Sequence, residues 1–220
     1  MSLTVVVTNY VRPTNVTRLI DAIRAQTVAA TIFVWDNSPA QDFDDPRVDW
    51  LIRSSKNARC SARWWMASHA TTDFVLVHDD DLVPSDSKVF AWTLDAALRN
   101  APYALGASGV VLKRDLAYWE SRHVGLRARR IQRDTRVDII KGFYFCCPAA
   151  QLARVGHLDL DSEDDIVVSA TLGRGQARRH LVPARLQSRF LLLPEEGARK
   201  DRRGHRVARE TARRHFFSRI

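Results

Sequence analysis

The stretch Val75-Leu76-Val77-His78-Asp79-Asp80-Asp81 joins a short apolar run directly to three consecutive carboxylates. An apolar run of this length, bounded by turn signals, fits a strand covered on both faces, as in a parallel sheet with helices packed on either side. The same grammar occurs twice earlier. Leu3-Thr4-Val5-Val6-Val7-Thr8 leads into Asn9-Tyr10, and Thr31-Ile32-Phe33-Val34-Trp35 ends at Asp36-Asn37-Ser38-Pro39. Val48 to Ile52 supplies a further short strand. Between these runs, Val16, Leu19, Ile20 and Ile23 recur at helical spacing, and helices are expected over Ala58–Ala70 and Ser85–Asn100. Strands alternating with helices predict an α/β fold of the doubly wound type, a mostly parallel mixed sheet flanked by helices. Ligands of such sheets bind beyond the carboxyl ends of the strands, so the polar clusters are expected to gather along one edge.

The second half changes character. Tyr103 to Leu112 predicts a strand, and the Arg-rich, aliphatic-poor residues 113–136 predict a long loop. Val137-Asp138-Ile139-Ile140 and Phe143-Tyr144-Phe145 flank Lys141-Gly142 as an interrupted strand, and Pro148 to Val155 forms a short helix. Asp161-Ser162-Glu163-Asp164-Asp165 opens a helix through about Leu172, its acids suited to the positive end of the helix dipole. Leu181-Val182 and Phe190–Leu193 are late strands, Glu195–Gly204 a mobile connection, and His205–Phe217 a basic terminal helix. The expected division is a catalytic domain over 1–193, with a nucleotide-binding half (1–100) and an acceptor half (101–193), followed by a basic lid and terminal helix over 194–220.

A chain of 220 residues, 45% hydrophobic, has enough apolar material for a core. No apolar run reaches the roughly 18 residues of a membrane span, and Met1-Ser2-Leu3-Thr4 does not open a secretory signal, so a cytoplasmic setting, bacterial or phage-infected, is expected. Cys60, Cys146 and Cys147 suggest neither a disulfide framework nor a zinc site. No glycine-rich dinucleotide fingerprint or P-loop is present. The net charge of +9 is uneven: residues 1–110 carry 10 basic against 12 acidic side chains, residues 111–220 carry 24 against 13. That asymmetry fits a polyanionic partner or phosphate-rich ligand on the C-terminal side, and equally a solvated Arg-rich surface.

Three adjacent carboxylates repel one another and need a compensating cation or solvent. Mg²⁺ or Mn²⁺ takes oxygen ligands and bridges carboxylates to a diphosphate. A solvated acidic turn is the plain alternative. Glu163-Asp164-Asp165 has the same two sides, helix capping or a carboxylate facing a reacting carbon.

In order, Thr8-Asn9-Tyr10-x-Arg12, Val34-Trp35-Asp36-Asn37, Asn57-x-Arg59-x-x-Ala62-Arg63, Asp79-Asp80-Asp81 and Asp164-Asp165-Ile166 resemble the motifs of GT-A nucleotide-sugar glycosyltransferases. The individual motifs are closest to the exostosin-like group, and the Asn57…Arg63 pattern resembles the large inverting family 2. The resemblance spans about residues 3–172 and implies a metal-dependent transferase using a UDP-sugar. It implies that Thr8, Tyr10 and Arg12 border the nucleotide, that Asp36 or Asn37 meets the uracil edge, and that Asn57 and Arg63 hold ribose, base or phosphate. Asp79 and Asp81 become ligands of Mn²⁺ or Mg²⁺, with Asp80 near the ribose or sugar. The catalytic carboxylate is Asp165 in the exostosin-like register and Asp164 in the family-2 register; the first implies retention of anomeric configuration, the second inversion. His205-Arg206 resembles a basic C-terminal segment, which would make Arg206 a diphosphate ligand and His205 a metal or phosphate ligand.

For the acceptor, the Arg-rich 113–136 segment interleaves Arg122 and Arg129 with Tyr118, Trp119 and His123. Cations and aromatics together suit a flipped or splayed base, so double-stranded DNA bearing hydroxymethylated bases is one expected acceptor, with Gly142 and Phe143 in the same set. The competing acceptors are a cell-surface glycan, a lipid-linked sugar and a virion protein; a nonenzymatic nucleic-acid binder on the same fold is a further alternative. Core packing of these aromatics is the plain one.

Overall fold

The computed structural model describes residues 1–113, 115–152, 155, 163–174, 176–194 and 202–218. β1 (Leu3–Asn9), β2 (Thr31–Asp36), β3 (Trp50–Arg53) and β4 (Phe74–His78) are mutually parallel in the order β3-β2-β1-β4. Val5, Val6 and Val7 are fully buried on both sides of the sheet, which is why β1 reads as an unbroken apolar run. α1 (Pro13–Arg24) starts with Pro at its first helical position, where no N–H is needed, and buries Val16, Leu19, Ile20 and Ile23 on one face. α2 (Ser61–Ala67) and α3 (Val89–Asn100) complete the first half, with β5 (Leu82–Pro84) between α2 and α3.

The sheet continues through β11 (Tyr144–Pro148), antiparallel to β4, then β6 (Leu105–Gly106), β12 (His180–Val182) and β9 (Thr135–Val137), to make eight strands among the described residues. β7 (Ser108–Val111), β8 (Arg122–Gly125) and β10 (Ile139–Ile140) form a separate three-stranded sheet, and β13 (Phe190–Leu192) pairs with β5. α4 (Ala149–Leu152), α5 (Asp164–Gly173) and α6 (Arg202–Phe217) close the second half, with α6 lying along α5.

The mostly parallel mixed sheet holds as expected, and the second half needs corrections. Tyr103–Leu112 is not one strand. Gly106 carries no side chain because a Cβ there would lie 2.4 Å from the Tyr144 carbonyl oxygen, and the chain passes from the large sheet to the small one at Ala107. Residues 113–136 are not one loop. A 3₁₀ turn over Tyr118–Glu120, β8 and the start of β9 lie inside, held by non-local ladders that local composition does not report. The terminal helix begins at Arg202, inside the expected Glu195–Gly204 connection, whose residues 195–201 lie outside the described ones. The three cysteines are free thiols, and among the described residues no helix is long and apolar enough to cross a membrane.

Candidate active site

Three parallel strands deliver their ends to one edge. Asn9 and Asp36 are ladder partners at the tips of β1 and β2, and β4 ends one residue before Asp79. Asp36 is fully buried; its Oδ1 accepts the Asn9 side-chain amide at 2.8 Å and the Ser38 N–H at 2.9 Å, so it shapes this edge. Asn37 Oδ1 accepts the Ala58 N–H (2.8 Å) and the Trp35 indole N–H (3.0 Å), tying β2 to the approach of α2. Asn57 is exposed and its Oδ1 accepts the Arg59 N–H. Thr8 is half-buried and Tyr10 exposed at the mouth.

The acidic turn is pinned through its backbone from two distant segments. The Asp79 N–H donates to the Phe143 carbonyl at 2.9 Å, and the Leu193 N–H donates to the Asp81 carbonyl at 2.8 Å. Its carboxylates are met by arginines. Arg12 lies 2.6 Å from Asp80 Oδ1, Arg127 lies 3.1 Å from Asp81 Oδ2, and Arg63 donates to Asp79 Oδ1 at 2.6 Å. Val11, just before Arg12, sits at φ 56, a backbone region that β-branched residues rarely occupy and that marks constrained sites. Burial pushes the Asp80 carboxyl up to about 7 against the pull of Arg12, with Asp79 and Asp81 adding repulsion.

Asp80 Oδ2 and Asp81 Oδ1 are buried and accept no hydrogen bond. Such hard, unpartnered oxygens suit a divalent cation. Among the described residues no three His, Cys, Asp or Glu side chains gather into a metal cluster. Asp79, Asp81 and His205 are therefore not a preassembled three-ligand set. Asp79 is turned to Arg63, and His205 lies on α6 with its ring 5.9 Å from that of Trp119. The carboxylates would fit a divalent cation that completes its coordination with oxygens from outside the protein.

Arg63 is buried rather than open to a nucleotide. Besides Asp79 it donates to the Gly142 carbonyl (3.1 Å) and to Asp164 Oδ2 (3.2 Å), so one guanidinium joins the acidic turn to the start of α5. Asp164 and Asp165, adjacent in sequence, have opposite surroundings. Asp164 Oδ2 also accepts the Trp64 indole N–H at 2.6 Å. Burial raises the Asp164 pKa and Asp165 adds repulsion, against the pull of Arg63. Asp165 is engaged through both oxygens, with Arg209 Nη2 at 2.7 and 2.9 Å and the Gly142 N–H donating at 3.2 Å. Burial opposes its charge, but Arg209 and Lys141 overcome that and hold its pKa below the usual carboxylate value.

Gly142 thus serves two charged groups through its backbone. A Cβ there would lie 3.3 Å from both Arg63 Nη2 and Asp165 Cβ. Gly142→Ala is expected to lower kcat by about 10- to 100-fold through sub-ångström displacement, with a melting temperature close to wild type; unchanged turnover would show that these positions tolerate the shift.

Behind Asp165, the Tyr118 hydroxyl receives bonds from Arg209 (2.6 Å) and Lys141, and the Tyr118 N–H donates to Glu210 at 2.7 Å. Tyr118 is fully buried, which removes it from the expected set of stacking aromatics. Trp119 remains exposed, its ring parallel to that of His123 at 6.0 Å with Arg206 5.5 Å away. Arg206 is thereby placed beside Trp119, and Arg122 and Arg129 are exposed on and after β8. Phe143 packs against the core under the Arg127 guanidinium at 5.3 Å.

Burial pushes the Lys141 ammonium down to about 7, with repulsion from Arg209 adding and Asp165 opposing. In the unfolded chain a lysine titrates near ~10.4, so between those values the unfolded state binds more protons and stability rises with pH. Lys141→Met is expected to flatten that rise; thermal melts from pH 6 to 10 with equal slopes for both proteins would refute it.

Arg209, Lys141, Trp64 and Arg127 were not anticipated as site residues. The available signal lay in α6, where Arg209 shares a buried face with Ala212 and Phe217. An arginine among apolar positions of a helix implies a buried anion opposite it.

The family model described as "Glycosyl transferase family 2" matches residues 4–161. Among solved structures, the mannosyltransferase PcManGT from Pyrobaculum calidifontis, in complex with GDP-Man and Mn²⁺, is 17% identical with a TM-score of 0.60, covering 89% of this chain and 58% of that one. TarS residues 1–349 from S. aureus is 14% identical with a TM-score of 0.63, covering 88% of this chain and 60% of that one. This chain thus spans less than two thirds of the length of either, and at such identities the likeness shows the GT-A fold alone. No curated protein sequence matches the chain. The exostosin-like leaning of the individual motifs is not what the family match shows: with residues 4–161 matched and the fold in agreement, the chain belongs to glycosyl transferase family 2.

Proposed function

We propose that the protein transfers a sugar from a nucleoside diphosphate, UDP as the first donor to try, to a hydroxyl on a polyanionic acceptor, with inversion at the anomeric carbon. The observation that carries this is the pair of buried, unpartnered oxygens on Asp80 and Asp81, flanked by Arg12 and Arg127 and joined through Arg63 to Asp164. Asp81, with Asp80 or Asp79, would hold the divalent ion, which when bound offsets the charge that builds on the departing diphosphate. Arg12 and Arg127 are placed to meet the same charge. Asp164 takes the role of base: its Oδ2 is fixed by Trp64 and Arg63 at the start of α5, and its raised pKa, against the lowered one of Asp165, makes it the more basic of the two carboxylates. Asp165, ion-paired on both oxygens, acts as a structural anchor for α6. PcManGT, of the same fold, is described with GDP-Man and Mn²⁺, which supports a nucleotide sugar and a divalent metal here.

The polyanionic acceptor is supported by the net charge of +11 over residues 111–220. DNA carrying a hydroxymethylated base is the first case to test, with exposed Arg122 and Arg129 along the backbone path. A glycan acceptor is the second reading, favoured by Trp119 as the exposed aromatic of this segment, a stacking surface for one pyranose ring.

The test is to incubate purified protein with Mn²⁺, several nucleotide sugars and either hydroxymethylated DNA, plain DNA or oligosaccharides. Nucleoside diphosphate release and product mass are followed, and the anomer is read by NMR. An inverted product on hydroxymethylated DNA is expected. Transfer only to oligosaccharide would move the acceptor to the second reading, and failure to release diphosphate from any donor would end the proposal.

A further inference from the structure

A cavity lies at the C-terminal end of α6, its lining sharing no residue with the acidic turn. It measures about 360 Å³ and is lined by Lys113, Asp138, Arg178, Arg213 and Phe217, with Leu112, Ala177 and Ser218 completing the wall. Three cations face one carboxylate. That carboxylate is occupied as a structural clasp: Asp138 Oδ2 accepts the Leu112 N–H and Oδ1 accepts the Arg178 N–H, each at 2.7 Å, and Asp138 is buried. The clasp draws the backbones that carry Lys113 and Arg178 to the same point. Arg178 is held there at φ 53, in the left-handed region, a conformation a non-glycine residue enters at a cost. Arg213 reaches the cavity from α6; its guanidinium donates to the Leu116 carbonyl and lies 3.9 Å from Glu210 Oε1, while its Nε is buried and accepted by nothing. Phe217 and Leu112 supply an apolar wall.

We propose that this cavity binds a phosphate monoester or diester group, at a site separate from the donor site. Two exposed cations and the half-buried Arg213 guanidinium, whose Nε has no acceptor, give charge and directed N–H donors for tetrahedral oxygens. The apolar wall fits the carbon arm that a phosphoester carries and free phosphate lacks. The site does not depend on the glycosyl-transfer reading. It bears on it only through α6: Arg213 lies one helical turn beyond Arg209, which holds Asp165, so a ligand here would steady the helix that closes the back of the active site.

The phosphoester can come from a soluble molecule or from a phospholipid headgroup, and two arms separate them. Glycerol 3-phosphate is titrated calorimetrically onto wild type, Lys113→Gln/Arg178→Gln and Ala177→Trp, the last filling the cavity without removing charge. Vesicles of phosphatidylcholine with and without phosphatidic acid are tested by sedimentation with the same three proteins. UDP with Mn²⁺ is titrated in parallel and reports the donor site alone. The expected result is that one of the two probes binds wild type and is weakened at least tenfold by both substitutions, while UDP binding is unchanged. Binding that neither substitution weakens, or no binding of either probe to wild type, overturns the proposal whatever UDP does.

Discussion

Replacing Arg209 with Leu is expected to abolish transfer and to lower stability by about 3–5 kcal/mol, the cost of leaving a buried carboxylate without its partner. Arg209 and Asp165 are each about 95% buried, and one guanidinium nitrogen contacts both carboxylate oxygens. No solvent can replace that partner. The effect on activity follows from geometry: Asp165 directly precedes Ile166 in a packed first turn and follows Asp164 directly, so a carboxylate forced to move carries the proposed base with it. The companion variant Arg209→Leu/Asp165→Asn removes both charges. Urea unfolding is expected to show it more stable than Arg209→Leu alone, with a coupling energy well above the few tenths of a kcal/mol typical of independent sites. Strict additivity of the two substitutions would show that the pair does not act as described. Activity is not expected to return in the double variant, because the anchor of α5 and α6 is still missing.

Asp81→Ala has the opposite signature. Asp81 Oδ1 is buried without a donor, and Oδ2 shares Arg127 and, more distantly, Arg12, both of which keep access to water. Removing such a carboxylate is expected to leave stability within about 1 kcal/mol of wild type. Transfer is expected to fall by about a thousandfold or more, since charge stabilisation at the leaving group is lost, and UDP binding is expected to stop responding to Mn²⁺. Calorimetry with and without Mn²⁺, beside a thermal melt, reads both halves. A variant that keeps full turnover in excess chelator would remove the metal from the mechanism.

Legibility in the sequence followed the range of the interactions. β1, β2 and β4 were readable because central parallel strands are apolar on both faces, and the polar residues at their tips announced the site edge. The order of Asp79-Asp80-Asp81 and Asp164-Asp165 was likewise plain. What the arginines do was not. Arg12, Arg63 and Arg127 look alike in sequence, yet non-local contacts give them different carboxylates: Arg12 sits chiefly on Asp80, Arg127 on Asp81, and Arg63 joins Asp79, 16 residues away, to Asp164, 101 residues away. The choice between Asp164 and Asp165 has the same origin. Adjacent acids at a helix start are equivalent until Trp64 and Arg209 arrive from other elements and divide them. The small sheet of β7, β8 and β10 escaped because its strands are two to four residues long and pair across the Arg-rich segment.

The hydrogen bond from Leu193 to the Asp81 carbonyl bears on how the protein is made. The acidic turn emerges from the ribosome more than a hundred residues before its second backbone tether, and Arg209, which fixes the carboxylate beside the proposed base, comes later still. Nascent chains released before these segments would carry a largely complete nucleotide-side sheet and an unbraced reaction centre. On the proposed function, competence to split an activated sugar would thereby wait until both segments have been made, so that shorter nascent chains could hold a donor without a finished reaction centre.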